Sequence, residues 1–142
     1  MATEPREPSP FGGLLGLEHL SSDPEAARAR IEVRDELKQP FGYLHGGVIT
    51  AMVEEVCSRA TAVKVVPQGM SPLGQSLEVS LLRSITEGGL TVTARARHRG
   101  RSTWVWEVEA VDDEDRLCAI GKMTIAIRPR QNAKNESGGD AK

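Results

Sequence analysis

Two adjacent carboxylates, Glu54 and Glu55, stand in the middle of a run that is otherwise apolar or small, GVITAMVEEVCSRATAV. A carboxylate placed beside a reactive carbonyl can act as a nucleophile or as a general base on water. Nine residues before Glu54 stands His45, followed by Gly46 and Gly47. Where a helix begins, its leading amides have no intrahelical acceptor. Glycine lets a ligand approach them, and the helix dipole favours negative charge there. A developing oxyanion needs that environment. A tight turn needing two glycines would carry the same letters. The position of His-Gly-Gly at the mouth of a long helix that bears an acid makes a reactive site the stronger reading.

The helix is expected over residues 47–65. Successive residues turn by about 100°. Gly47, Ala51, Glu54, Ser58 and Thr61 then share a small, polar stripe, beside an apolar stripe of Val48, Met52, Val56, Ala60 and Val63. The apolar stripe is assigned to a sheet. Glu55 and Arg59, four apart with the acid first, read as an exposed or rim ion pair. Two readings of Glu54 stand side by side. It is a solvated or interface-bridging residue, or a partly desolvated acid at a junction that small neighbours open to a second chain, with Ser58 as a hydroxyl donor.

The elements that must position these residues follow from periodicity. Residues 14–20 form a short apolar segment, a first strand or a turn of helix. Ala27, Ala29, Ile31 and Val33 alternate with Arg28, Arg30, Glu32 and Arg34, a strand with one wet face. After the helix, Pro67, Gly69 and Pro72 punctuate the chain. Three further alternating runs start near Leu73, Leu90 and Trp104, and a last strand covers residues 117–127. Turns fall at Gly88-Gly89, at Gly100 and at Asp112–Asp115. The order is β-β-α-β-β-β-β, with the last four strands expected as antiparallel neighbours because their connections are short. A helix of roughly 19 residues is about 28 Å long, enough to lie along a twisted sheet and cover its apolar face. The fold class is α+β, one domain over residues 13–130. Residues 1–12 and 131–142 are too rich in Pro, Glu, Gly and polar side chains to bury a core and read as disordered tails.

The 142 residues suit one domain. A formal net charge of -2 gives no general pull toward nucleic acid or an anionic membrane. Cys57 and Cys118 lie in apolar segments and read as buried free thiols of a reducing compartment. The N-terminal letters show no charged-then-apolar signal pattern, and no apolar run reaches the roughly 20 residues of a span. The expectation is a soluble cytoplasmic protein. His19, His45 and His98 are scattered, and DDED lacks the spacing of a calcium loop, so no metal site is expected. Trp104 and Trp106 are assigned to structure.

The letters LHGGVITAMVEEVCSRAT resemble the helix motif of hot dog fold acyl-CoA thioesterases of the phenylacetate-pathway type. The likeness extends to the Arthrobacter-type 4-hydroxybenzoyl-CoA thioesterase, through KQPFGYLHGG, GQSLEVSLLRSITEG and STWVWEVEAVDDEDRLCAIGKMTIAIRPR, roughly residues 31–130. This resemblance implies a hot dog fold, a long central helix wrapped by an antiparallel sheet. It implies Glu54 as the catalytic carboxylate, Gly46 as the backbone N–H that polarises the thioester carbonyl, and Gln39 as a side-chain donor to the same oxygen. Ser58 stands where the family has a Thr that orients the acid or the water, and His45 positions the loop. It also implies coenzyme A contacts from Arg83 and from Arg101, Ser102 and Thr103. Arg101 replaces a small polar residue, and Gln131 stands in place of another Arg, so Arg101 or Arg130 is expected to take over part of the phosphate grip, with Arg128 a further contact. The resemblance further implies a site shared across a dimer, and two dimers in a homotetramer with helices facing inward. The activity implied is hydrolysis of an aryl- or medium-chain acyl-CoA, 4-hydroxybenzoyl-CoA-like, to the free acid and coenzyme A, with no cofactor, coenzyme A being part of the substrate.

Two other readings compete. A hydratase or dehydratase of the same fold needs a carboxylate partner for its His, and the chain offers none suited to His45. A non-catalytic acyl-CoA-binding regulator would carry a DNA-binding segment, which the Pro-rich N-terminal stretch does not supply.

Overall fold

The computed structural model describes residues 8–131. Of the two expected tails, residues 1–7 and 132–142 lie outside the described ones. The last residues of the N-terminal stretch do not lie outside the fold. They open a short helix, α1, Pro10–Leu15. Ser9 caps it, its Oγ accepting from the Gly12 N–H at 3.0 Å, Pro10 starts it, and Gly16 closes it at φ 70°. Strand β1, Glu18–Ser21, follows. The segment over residues 14–20 is thus the end of a helix and the start of a strand.

Strand β2 is Ala27–Glu32, with Ala27, Ala29 and Ile31 buried and Arg28 and Glu32 exposed. The long helix α2 is Gly46–Val65. Strands β3 (Met70–Leu81), β4 (Gly89–Arg99), β5 (Thr103–Asp112) and β6 (Leu117–Pro129) complete one six-stranded antiparallel sheet. Helix α2 packs on one face of it. Met52, Val53, Val56, Cys57 and Ala60 meet Leu90, Val92, Trp106, Met123 and Ile125 in one core. At its centre the indole N–H of Trp106 donates to Thr61 Oγ1 at 3.0 Å, and that hydroxyl donates to the Cys57 carbonyl at 2.8 Å. Cys57 and Cys118 are buried free thiols, and Trp104 and Trp106 lie inside with ring centres 6.1 Å apart. The DDED turn is structural. The Asp112 carboxylate accepts from two backbone amides and from Arg116 Nε, and Asp113 accepts from Arg30 and from the Gly89 N–H.

The spatial order is β1-β2-β4-β5-β6-β3. Hairpins join β4 to β5 and β5 to β6 as expected, but β3 does not neighbour β4. It pairs with β6, and β4 pairs with β2. The connection over residues 82–88 is no hairpin turn. It carries the buried Ile85, whose carbonyl accepts from the Leu44 N–H, and it passes the start of α2 to reach the far side of β5. Strand β3 is therefore an edge strand. That explains how Pro72 fits inside it and why its apolar alternation is only half-buried, with Leu73 55% and Leu81 56% exposed.

Candidate active site

The loop before α2 is tied at both ends. The Gln39 N–H donates to the Tyr43 carbonyl at 2.8 Å, and the Gly42 N–H to the Gln39 carbonyl at 3.0 Å. Gly42 sits at φ 88°, where glycine is the favoured residue. The His45 N–H then donates to the Leu37 carbonyl at 2.8 Å, which fixes the entry into the helix.

His45 is the N-cap of α2. Its Nδ1 accepts from the Gly47 N–H at 2.9 Å, and its carbonyl accepts from the Val48 N–H at 2.9 Å. These bonds occupy two of the leading amides. The Gly46 N–H ahead of them has no acceptor among the described residues, and it stands at the positive end of a 20-residue helix. Gln39 lines the same cleft of ≈ 220 Å³, with Arg83 on its rim and Tyr43, Ile49 and Leu81 among its walls. The Gln39 Oε1 turns back to accept from the Phe41 N–H, and its NH₂ has no acceptor among the described residues. The cleft thus offers two hydrogen-bond donors beside the apolar side chains of Ile49 and Leu81.

Glu54 lies elsewhere. It is exposed in the middle of α2, beside a second cleft of ≈ 200 Å³ formed with Gly74, Gln75, Leu77 and Met123. The Ser58 hydroxyl donates to Glu54 Oε1 at 3.4 Å, a long bond. The edge strand bulges between Gly74 and Ser76 at this point. Eight residues of helix separate Gly46 from Glu54, about 12 Å of rise. One chain does not bring the acid to the donors.

Glu55 takes partners other than the Arg59 expected of it. Its carboxylate accepts from the Ser9 N–H at 3.0 Å and the Ser9 hydroxyl at 2.8 Å, and lies 3.6 Å from His19 Nε2. Burial opposes its ionisation, but the Ser9 bonds and His19 outweigh that and hold its pKa below the ordinary range. Arg59 Nε donates instead to Ser22 Oγ at 3.1 Å. Glu55 therefore anchors the N-terminal segment on α2.

The expected coenzyme A contacts divide between the two ends of α2. Arg83 stands with Gly46. Arg101, Ser102, Thr103, Arg128 and Arg130 lie together at the opposite end. There Arg101 lines a cleft of ≈ 480 Å³ with Lys64, Arg99 and Trp104. The Ser102 carbonyl accepts from the Ile127 N–H and from Arg128 Nη1, the Thr103 carbonyl from the Gly100 N–H, and the Arg130 N–H donates to the Gly69 carbonyl. Lys64 joins this basic group unannounced by the motif. Its signal was a cation in the last helical turn, next to the Pro67-Gly69 break. Among the described residues, no group of three or more His, Cys, Asp or Glu is placed to hold a metal ion.

The family model described as "Thioesterase superfamily" matches residues 41–119. The chain belongs to the thioesterase superfamily. It is a thioester hydrolase, and the single long helix on a six-stranded antiparallel sheet is the superfamily's hot dog fold. It is 35% identical over 117 residues to the 1,4-dihydroxy-2-naphthoyl-CoA hydrolase of Listeria monocytogenes, covering 82% of this chain and 94% of that one. Among solved structures, a mutant of thioesterase PA1618 from Pseudomonas aeruginosa superposes with a TM-score of 0.80 at 32% identity, over 84% of this chain and 86% of that one. Thioesterase HI1161 from Haemophilus influenzae gives 0.80 at 27% identity, over 87% and 85%.

Proposed function

We propose that the protein hydrolyses an aryl acyl-CoA to the free acid and coenzyme A, using Glu54 of one chain and the helix start of another. The observation that carries this is the Gly46 N–H, without an acceptor at the positive end of α2 and in one cleft with Gln39. Both donors would turn toward the thioester oxygen, where negative charge grows as the carbonyl carbon becomes tetrahedral. His45, whose ring nitrogen is spent on the Gly47 N–H, holds the loop and is not the base. Glu54 either removes a proton from the attacking water or adds to the carbonyl itself. Ser58 orients its carboxylate. The thiolate of coenzyme A leaves, and water supplies the hydroxyl of the acid. A thioester needs no metal or cofactor for this, because sulfur gives its carbonyl little resonance.

The 12 Å between Gly46 and Glu54 along one helix is too far for both to act on one carbonyl, whose reacting atoms must lie about 3 Å from each. A second copy that brings its Glu54 to the helix start of the first resolves this, so the active unit is a homodimer. Assembly into a tetramer with helices inward extends the same reading. The acyl group is assigned as aromatic, of the 4-hydroxybenzoyl or a related aryl kind, from the sequence resemblance and from the name of the Listeria relative. Arg83 and the Arg101–Thr103, Arg128 and Arg130 group would meet the phosphates of coenzyme A. No helix among the described residues is long and apolar enough to cross a membrane, and a cytoplasmic location is proposed to match the substrate.

Steady-state hydrolysis of aromatic and aliphatic acyl-CoAs by wild type and Glu54→Gln tests this. The variant is expected to lose about 10²–10⁴-fold in kcat at similar KM. Wild type and variant equally slow on every thioester would make binding without turnover the leading reading.

A further inference from the structure

The strand-end residue Leu81 has an unusual position. It is apolar and more than half exposed, and its backbone is held firmly: it pairs with Ala119 in the sheet, and the next two amides both donate to the Cys118 carbonyl. Its side chain reaches across to the first residue of α2. A Cβ added to Gly46 would overlap Leu81 Cδ1, with Leu81 Cγ and Cδ2 at 3.7 and 3.8 Å from the same point. The isobutyl group therefore lies directly on the residue whose N–H is free, on the wall of the cleft that also holds Gln39. Tyr43 and Ile49 are further walls of that cleft.

We infer that Leu81 sets which acyl groups the enzyme accepts. The inference rests on the reading that the thioester carbonyl is held at Gly46. A carbonyl bonded to that N–H carries its acyl group within reach of the nearest side-chain carbons, and those are Leu81's. Leu81 occupies space that a larger acyl group would need. A flat single ring can lie against it, while a fused or branched acyl group must displace it. Its backbone is held, because the next two amides, of Leu82 and Arg83, are bound to one carbonyl of β6. Only a shorter side chain makes room. An apolar pocket discriminates by roughly tenfold or more for each misfitted methylene, so a change of three carbons is large enough to read. The same contact gives a second reason for glycine at 46: any side chain there would compete with Leu81 for one volume.

The test compares kcat/KM for benzoyl-CoA and 2-naphthoyl-CoA in wild type, Leu81→Ala, Leu81→Phe and Leu81→Met, with the oligomeric state of each measured by light scattering. Leu81 is exposed enough for all four to fold. The naphthoyl-to-benzoyl ratio is expected to rise about tenfold or more in Leu81→Ala, to fall in Leu81→Phe, and to stay within about twofold in the volume-conserving Leu81→Met. A wild type that hydrolyses thioesters while the ratio stays flat in both Ala and Phe variants overturns the inference and leaves the thioesterase reading standing. A Leu81→Ala protein that loses its oligomer and its activity, with the ratio flat in Leu81→Phe, does the same, and assigns Leu81 to a subunit contact. A wild type that hydrolyses no thioester removes the reading on which the inference rests.

Discussion

Gly46 and Glu54 share one helix but line different clefts, eight residues apart. The separation is rigid, since both lie in α2, whose hydrogen bonds fix about 1.5 Å per residue. No side-chain rotation brings the Glu54 carboxylate to the Gly46 N–H.

A shared site predicts complementation between two dead chains. Gly46→Pro deletes the free N–H; the first helical position tolerates proline because that amide makes no helical bond, and the proline Cβ pushes aside the exposed end of the Leu81 side chain at the same helix start. His45 is already extended at φ -64° and ψ 129°, which suits a residue before proline. Gly46→Pro and Glu54→Gln should each be nearly inactive alone. Mixed after unfolding and refolding, half the dimers are heterodimers with one intact site of two, so about a quarter of wild-type activity should return. No recovery in mixtures shown by mass spectrometry to contain heterodimers would place both residues in sites within one chain.

The Thr61 hydroxyl joins the Trp106 indole to the Cys57 carbonyl, and Thr61 and Trp106 are fully buried. Thr61→Val keeps the shape and leaves the indole N–H without an acceptor. The expected loss is about 1–3 kcal/mol of unfolding free energy, the cost of a buried polar group left unsatisfied. Thr61→Ser keeps the bond and loses a methyl group, at about 1 kcal/mol. Denaturant unfolding of the three proteins checks the order wild type, Ser, Val. A Val variant as stable as wild type would mean that the indole finds another acceptor.

Stability should fall with acid in two steps around Ser9. Burial, aided by the nearby Arg59 charge, holds the His19 pKa below its ordinary 6.5 despite the Glu55 carboxylate, and its Nε2 has no hydrogen-bond partner among the described residues. The unfolded chain then takes up a proton at His19 near pH 6.5 while the folded chain resists, so stability falls as pH drops from 6.5 toward the folded value. Glu55 titrates below its ordinary 4.5 in the folded protein, so its contribution is complete above 4.5 and is lost as pH falls through the folded value. Melting temperatures between pH 7.5 and 3.5 should show both losses. His19→Asn should flatten the upper one and Glu55→Gln the lower. Parallel curves for wild type and His19→Asn would show that His19 titrates alike in both states.

Much of this architecture is written locally, and the exceptions share a cause. The wet face of β2, the buried alternation of β4 and β5, and the reach of α2 follow from side-chain period, which each segment carries within itself. The site motif is equally local, for His45 caps the helix that its own neighbours begin. The partner of β3 is not local. Its alternation resembles that of β4, and only the path over residues 82–88, decided by where Ile85 can be buried, sends the chain past β6 and β5. Glu55 misleads for the same reason. The four-residue rule offers Arg59, while the observed partner, Ser9, stands 46 positions away. Helix α1 was hidden by the glycines inside it, though Ser9-Pro10 is a helix start in plain letters. Glu54, Gly46 and Gln39 are singled out by the sequence, but their placement in separate clefts needed the coordinates.

The basic cleft at the end of α2 predicts a contribution confined to the nucleotide. Lys64, Arg99 and Arg101 converge there with Trp104, and Arg99 Cζ lies 5.7 Å from the Trp104 ring centre. Arg101 is exposed, so water and salt screen it, and an exposed charge contact is worth about 0.2–1 kcal/mol. Arg101→Ala should therefore raise KM for an acyl-CoA by about two- to fivefold at low salt with kcat unchanged. The difference should shrink at about 0.5 M salt, where the screening length falls to a few ångströms. The discriminating substrate is the matching acyl-pantetheine, which has the thioester and no phosphates. Its KM should be the same for both proteins. Equal effects on acyl-CoA and acyl-pantetheine would mean that Arg101 supports the fold of the β4–β5 turn and touches no phosphate.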